Sequence, residues 1–152
     1  MKKIVLYVLL LGATLLFPVQ GEDVGKLLPV EVVQIYKEED RVVIATDVGA
    51  SGTGATVKEA IENLKATSAG IIFLDTADYL LFDESAKEEI GQLETYLKRS
   101  VRVSASDGEI DLHEAAAFLA VHQPAARLKS YKEHNKTEIL TKEAGRMILK
   151  EK

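Results

Sequence analysis

Residues 49–64 read GASGTGATVKEAIENL, a glycine-rich loop running straight into a helix. In nucleotide-binding folds a phosphate sits at such a place, held by free amides at the helix start. A dinucleotide loop needs Gly-x-Gly-x-x-Gly, and a P-loop needs Gly-x4-Gly-Lys-Ser/Thr. Here Gly49, Gly52 and Gly54 give Gly-x-x-Gly-x-Gly, with neither the lysine nor the spacing. Asp75 is only a loose match to the acidic residue that follows a dinucleotide loop. The stretch therefore reads as a flexible connection whose glycines permit positive φ, and no nucleotide is expected. Thr56 and Glu59 form a capping box. Val57, Ala60, Ile61 and Leu64 then recur at i, i+3, i+4 and i+7, one apolar stripe. A helix start still attracts anions, which makes Gly52, Gly54 and Thr56 candidate ligand-binding residues.

Upstream, two β-branched runs at 30–36 and 41–47 flank Lys37-Glu38-Glu39-Asp40, predicting a hairpin with a four-residue loop. In the first run Val30, Val32 and Gln34 share one face, and Glu31, Val33 and Ile35 the other, so both faces are covered. Downstream, AGIIFLD (69–75) is a short apolar run expected to be a buried central strand. DYLLF (78–82) predicts a further strand. Ser85 is expected to cap a second helix over 86–99, with Ala86, Ile90, Leu93 and Leu97 inward. VRVSA (101–105) alternates as a strand does. Asp111 and Glu114 frame a capping box before LHEAAAFLAVH, which Pro124 closes. Residues 125–152 are expected to hold a helix and a short final element. The order ββαββαβα predicts an α+β fold, a mixed sheet covered by helices, as a single domain over 22–152.

The N-terminus sets the compartment. Lys2 and Lys3 precede an unbroken apolar stretch of 14 residues, Ile4 to Phe17, then Pro18 and Val19-Gln20-Gly21. This is the pattern of a secretory signal peptide over 1–21. A spanning helix needs about 20 apolar residues, so cleavage after Gly21 is expected, with a retained anchor the alternative. The protein is then exported and extracytoplasmic, at most peripheral to the membrane after cleavage. The chain has no cysteine, which removes disulfides, thiolate metal sites and cysteine nucleophiles and suits bacterial export. Without the leader it carries 24 acidic and 17 basic residues, a net charge of −7. Such a balance repels phosphate backbones and anionic headgroups, and excludes nucleic acid as the expected partner.

Few residues carry chemistry. In SDGEIDLHE (106–114), Asp107, Gly108, Asp111 and Glu114 fall at calcium-loop positions, but Val103 and Ala105 occupy the first two ligand positions. A turn followed by a helix cap explains the stretch. Asp75, Asp78, Asp83 and Glu84 bracket the strand at 78–82. Paired carboxylates can perform acid–base work or bind a cation, so Asp75 and Asp83 join the candidate site residues. Acids at strand ends are also ordinary turn and cap residues. His113 and His122 lie nine residues apart, about 2.5 helical turns, and face opposite sides; His134 stands alone. Ser51, Ser68, Ser85 and Ser104 lack a nucleophile-elbow setting. No catalytic constellation, resident metal or cofactor is expected.

GTGATVKEAIENL and GIIFLDTADYLLFDESAKEEIGQLETYLKRSVRV resemble the N-terminal domain of Ger(x)C-type spore-germination receptor lipoproteins. Gly54, Thr56, Glu59 and Ala60 carry its first motif; Ser85, Ala86 and Lys87 open the second, with Leu97 and Arg99 at its end. The likeness spans about 41–105. It implies a strand, a helix, two strands, a second helix and another strand, in a non-enzymatic protein of a spore-forming or related Gram-positive bacterium. Members of that family are lipidated on a cysteine and have further domains, so the resemblance implies a stand-alone, non-lipidated relative. The expectation is an exported, envelope-associated protein that binds an envelope or membrane protein partner, in spore germination or sporulation. The rivals are a small-ligand or cation-binding module using 49–56 and the acidic set, and a hydrolase using Asp75 and Asp83.

Overall fold

The computed structural model describes residues 24–107, 110–134 and 137–151. The expected signal peptide, residues 1–21, lies outside the described residues, as do Gly108 of the calcium-like stretch and the His134 side chain. The fold is α+β. A mixed seven-stranded sheet contains β2 (Val32–Glu38), β3 (Arg41–Thr46), β4 (Ser51–Gly54), β6 (Tyr79–Phe82), β7 (Arg102–Ser106), β8 (Glu138–Glu143) and β9 (Arg146–Glu151), in the order β4-β3-β2-β6-β7-β8-β9. Strands β2, β6, β7 and β8 run parallel, and an antiparallel arm closes each side. A separate parallel pair joins β1 (Leu27–Pro29) to β5 (Ile71–Phe73).

Strand β6 holds the centre because all four of its residues are apolar and buried, Tyr79 and Leu81 toward one face, Leu80 and Phe82 toward the other. One face carries helix α1 (Val57–Thr67), a 3-10 helix (Glu84–Thr95) and the start of helix α3 (Leu128–His134); their buried residues include Ile61, Leu64, Ile90, Leu93 and Leu128. Helix α2 (Leu112–Val121) lies on the second face, where Ala115, Ala116 and Leu119 meet Val32, Leu81 and Leu140. The expectation that β2 is covered on both sides holds: Val33 and Ile35 face α1 and the 3-10 helix, Val32 faces α2.

Several expectations are corrected. The loop at 49–55 is largely strand β4, paired with β3 from Ala45↔Ser51 to Val42↔Gly54. Only Gly49 among its glycines has positive φ, 77°. Gly52 and Gly54 serve a close approach instead: a Cβ at Gly52 would lie 2.2 Å from Ala60 O, and one at Gly54 2.5 Å from Ala60 N. The β2–β3 loop has two residues, not four, with Glu39 and Asp40 at φ 49° and 64°, a type I′ turn matching the strand twist. AGIIFLD is no central strand. Its middle forms β5 outside the main sheet, since only Ile72 and Leu74 are buried while Ile71 and Phe73 are 36% and 42% exposed.

The second helix buries Ala86, Ile90, Leu93 and Leu97 as expected, but winds as a 3-10 helix over twelve residues, where three or four are usual; nothing in its sequence explains the tighter winding. Its cap is Asp83, which accepts from Ser85 N at 2.9 Å. Ser85 Oγ accepts from Lys37 N at 3.1 Å instead. The C-terminal stretch holds α3 and a full hairpin, β8–β9, turned by Ala144 and Gly145 at positive φ.

Candidate functional site

Strand parity builds one cleft. Val32 faces α2, so Gln34 and Tyr36 emerge on that face farther along β2. Tyr79 and Leu81 of β6 share the face, which brings Asp83 to it just past the strand end. Asp83 N donates to Ile35 O at 3.0 Å, carrying the β2–β6 ladder one step beyond Phe82 and setting Asp83 beside Tyr36. On β7 the same parity presents Ser106, whose Oγ accepts from Gln34 Nε2 at 3.2 Å. Four polar residues thus converge at the carboxyl ends of three parallel strands, where ligands of open α/β sheets bind. Ile110 and Leu112, at the start of α2, form the apolar wall. With Lys37, Glu38, Ala45 and Asp83 they line an open cleft of about 560 Å³.

The electrostatics of the cleft are negative. Asp83 is half-buried and spends Oδ1 on Ser85 N. Lys37 is paired with Glu89 at 3.1 Å, the two side chains 29% and 20% exposed. Glu38 and Asp83 therefore face the cleft without a free cation among its lining residues. Burial, and next the Glu38 carboxylate, raise the Tyr36 hydroxyl pKa above its ordinary value.

A second groove of about 480 Å³ lies at the other end of the sheet. Six consecutive residues, Gly70 to Asp75, line it, with Lys65, Thr95 and Tyr96 as its other bank. It runs beside β5, whose only strand partner among the described residues is β1. Thr76 braces the strand, its Oγ accepting from Val30 N at 2.9 Å.

The expected site residues do not come together. Gly52 and Gly54 lie under α1, their amides engaged in or near the β3–β4 pairing. Thr56 caps α1, accepting from Glu59 N at 3.2 Å. Glu59 reaches Ala55 N at 2.7 Å rather than the Thr56 amide, so the box closes one residue early and fills the anion position with its own carboxylate. Asp75 lines the β5 groove and Asp83 the cleft, at opposite ends of β6. A four-residue strand is about 13 Å long, so the pair cannot act on one bond as the hydrolase reading requires. Asp111 accepts from His113 N and Glu114 N, which commits it to capping α2, and Glu114 binds Lys142 of β8 at 2.9 Å. Among the described residues no group of three or more His, Asp or Glu is placed to hold a metal, and no helix is long and apolar enough to cross a membrane.

Of the cleft residues, sequence reasoning names Asp83 alone as a site residue and places Gln34 only on a strand face. Tyr36 and Ser106 are strand-end polar residues in apolar runs, a signal that marks carboxyl-end sites once the strand order is known. Comparison with protein-family models, curated proteins and solved structures returns no match.

Proposed function

We propose that this is an exported, non-enzymatic binding module of the cell envelope, which takes an extended segment of another envelope protein along the outer edge of β5. The observation that carries the reading is the groove lined by the unbroken run Gly70–Asp75 beside a strand whose one strand partner among the described residues is β1. In strand addition, main-chain hydrogen bonds supply affinity and alternate side chains supply selectivity. Ile71 and Phe73, 36% and 42% exposed, are such alternate positions, and Tyr96 stands across from them. An uncovered apolar edge is a liability that folded proteins otherwise blunt with charge, proline or a bulge. The separation of Asp75 from Asp83 supports the non-enzymatic part.

The Ger(x)C resemblance names the partner to seek first, a multi-pass membrane germination receptor. In its support, 41–105 contains strands β3 and β4, helix α1, strand β5, a short 3-10 turn at Leu74–Thr76, strand β6, the 3-10 helix Glu84–Thr95 and most of strand β7. The test places a photo-crosslinking amino acid at Phe73, and in a control at Glu62, whose side chain is 65% exposed on α1. Crosslinking in growing and sporulating cells is expected to join Phe73, and not Glu62, to one envelope protein, and Ile71→Asp is expected to abolish the product. Equal products from both positions would overturn the reading.

A further inference from the structure

The cleft at the carboxyl ends of β2, β6 and β7 lies away from the β5 groove and has no part in strand addition. From its lining we infer that it is a binding site for a small organic cation, an ammonium group carried on an apolar body.

Three features select that class. The first is charge without compensation. Glu38 and Asp83 line the cleft, and its only lysine, Lys37, is held by Glu89 at 3.1 Å. Asp83 is already fixed in direction, because Oδ1 accepts from Ser85 N at 2.9 Å. Its other oxygen is left for the cleft, preorganised to accept a charge-assisted hydrogen bond from an N⁺–H donor. An anion would meet two carboxylates here, and a phosphate or carboxylate ligand is excluded on charge.

The second feature is the ring. Tyr36 is half-buried beside Asp83, and its phenol, whose pKa burial and then Glu38 raise further, is uncharged. A neutral aromatic face next to a carboxylate attracts a cation within about 6 Å through its quadrupole. Gln34 is oriented by its donation to Ser106 Oγ at 3.2 Å, leaving its amide oxygen as a further acceptor.

The third feature separates an organic cation from a metal ion. Ile110 and Leu112 form one wall and Ala45 part of the floor. A hard divalent ion needs six or more oxygen ligands, whereas the described residues present no cluster of three candidate ligands. An apolar wall facing a carboxylate instead suits a ligand with a charged head and a hydrocarbon body. About 560 Å³ lies within the range of small-molecule clefts.

The test is a titration of the folded domain followed by two-dimensional amide NMR, using phenethylammonium as probe and 2-phenylethanol and 3-phenylpropionate as its neutral and anionic counterparts. Phenethylammonium is expected to give saturable shifts at Gln34, Tyr36, Asp83 and Leu112, at least about tenfold tighter than the alcohol, with no saturation by the anion. Asp83→Asn keeps a capping oxygen for Ser85 N, so it is expected to keep the fold, and to weaken the amine by about tenfold or more while leaving the alcohol unchanged. Leu112→Ala is expected to weaken amine and alcohol alike. Equal affinity for amine and alcohol, undiminished binding by Asp83→Asn, or no saturable shift with the amine would each overturn the assignment. A tight alcohol with an indifferent amine would overturn it too, and mark the cleft as an apolar site only. None of these outcomes depends on the β5 groove, whose crosslinking assay reads a different surface.

Discussion

A Cβ placed on Gly52 would meet Ala60 O at 2.2 Å, Leu64 N at 2.3 Å and Leu64 Cα at 2.7 Å. All three are backbone atoms of α1, so no side-chain rotation relieves the contact. Gly52→Ala is therefore expected to push α1 off β4 and cost about 2–3 kcal/mol, the upper range for overpacking a close contact. Gly49→Ala meets no atom within 4 Å, but its φ of 77° disfavours a side chain, so the expected loss is about 1 kcal/mol. Thermal unfolding of the two variants checks both, and a Gly52→Ala no worse than Gly49→Ala would refute the close-approach account. At the start of α2 the relevant physics is charge. Amide hydrogen bonds from Glu114 and then His113 hold the Asp111 pKa below the ordinary aspartate value. A carboxylate with a depressed folded pKa contributes stability that is present above its unfolded pKa and lost as pH falls through the folded one. An NMR titration of the Asp111 carboxyl is accordingly expected to show a midpoint below the unfolded value of about 3.9. In Asp111→Asn, which keeps the acceptor but not the charge, this part of the acid-side stability loss is expected to vanish.

At the scale of elements, the β2–β3 turn stores strain. Glu39 and Asp40 both occupy the left-handed region, with φ of 49° and 64°, where a type I′ turn prefers Asn followed by Gly. The double substitution Glu39→Asn with Asp40→Gly is expected to stabilise the domain by about 1 kcal/mol, read as a rise in denaturation midpoint with an unchanged denaturant slope. Val57, Ala60, Ile61 and Leu64 are buried as their spacing implies, because one helix against one sheet leaves a clean stripe. The alternation of Val32, Val33, Gln34 and Ile35 likewise revealed a strand covered on both faces. IIF at 71–73 misled, since an unbroken apolar run does not say how many of its faces are covered. Strand β8 escaped notice for the opposite reason: of its six residues only Leu140 is fully buried, so charge hides the alternation. The cleft was harder still. Tyr36, Asp83 and Ser106 meet only through the register of β2, β6 and β7, and that register depends on a strand order set by contacts far apart in the chain.

The whole molecule is tied together through β6. Leu80 and Phe82 belong to the cluster beneath α1, while Tyr79 and Leu81 belong to the one beneath α2, so neither cluster opens without disturbing the other. The C-terminal stretch joins both. Leu128 and Tyr131 enter the first cluster, where the Tyr131 ring meets Phe82 edge-on at a centroid distance of 5.4 Å. Leu140 and Met147 enter the second. Strand β8 also pairs with β7, and Ser104, fully buried, donates to Glu138 O at 2.8 Å. Four buried side chains at about 1.5–3 kcal/mol each are comparable with the entire net stability of a domain, about 5–15 kcal/mol. Deletion of residues 125–152 would also strip a ladder partner from β7 and remove the shorter of the two acceptors of the Ser104 hydroxyl, leaving Ala105 O at 3.1 Å. The truncated chain is therefore expected to lose its cooperative thermal transition and its dispersed NMR spectrum, rather than to keep the fold and lose a docking tail. The untruncated chain is expected to unfold in one step, with far-ultraviolet circular dichroism and tyrosine fluorescence giving coincident midpoints. A truncated chain that still melts cooperatively would show that the elements before residue 125 suffice, and would make the C-terminal hairpin an appendage available for a partner.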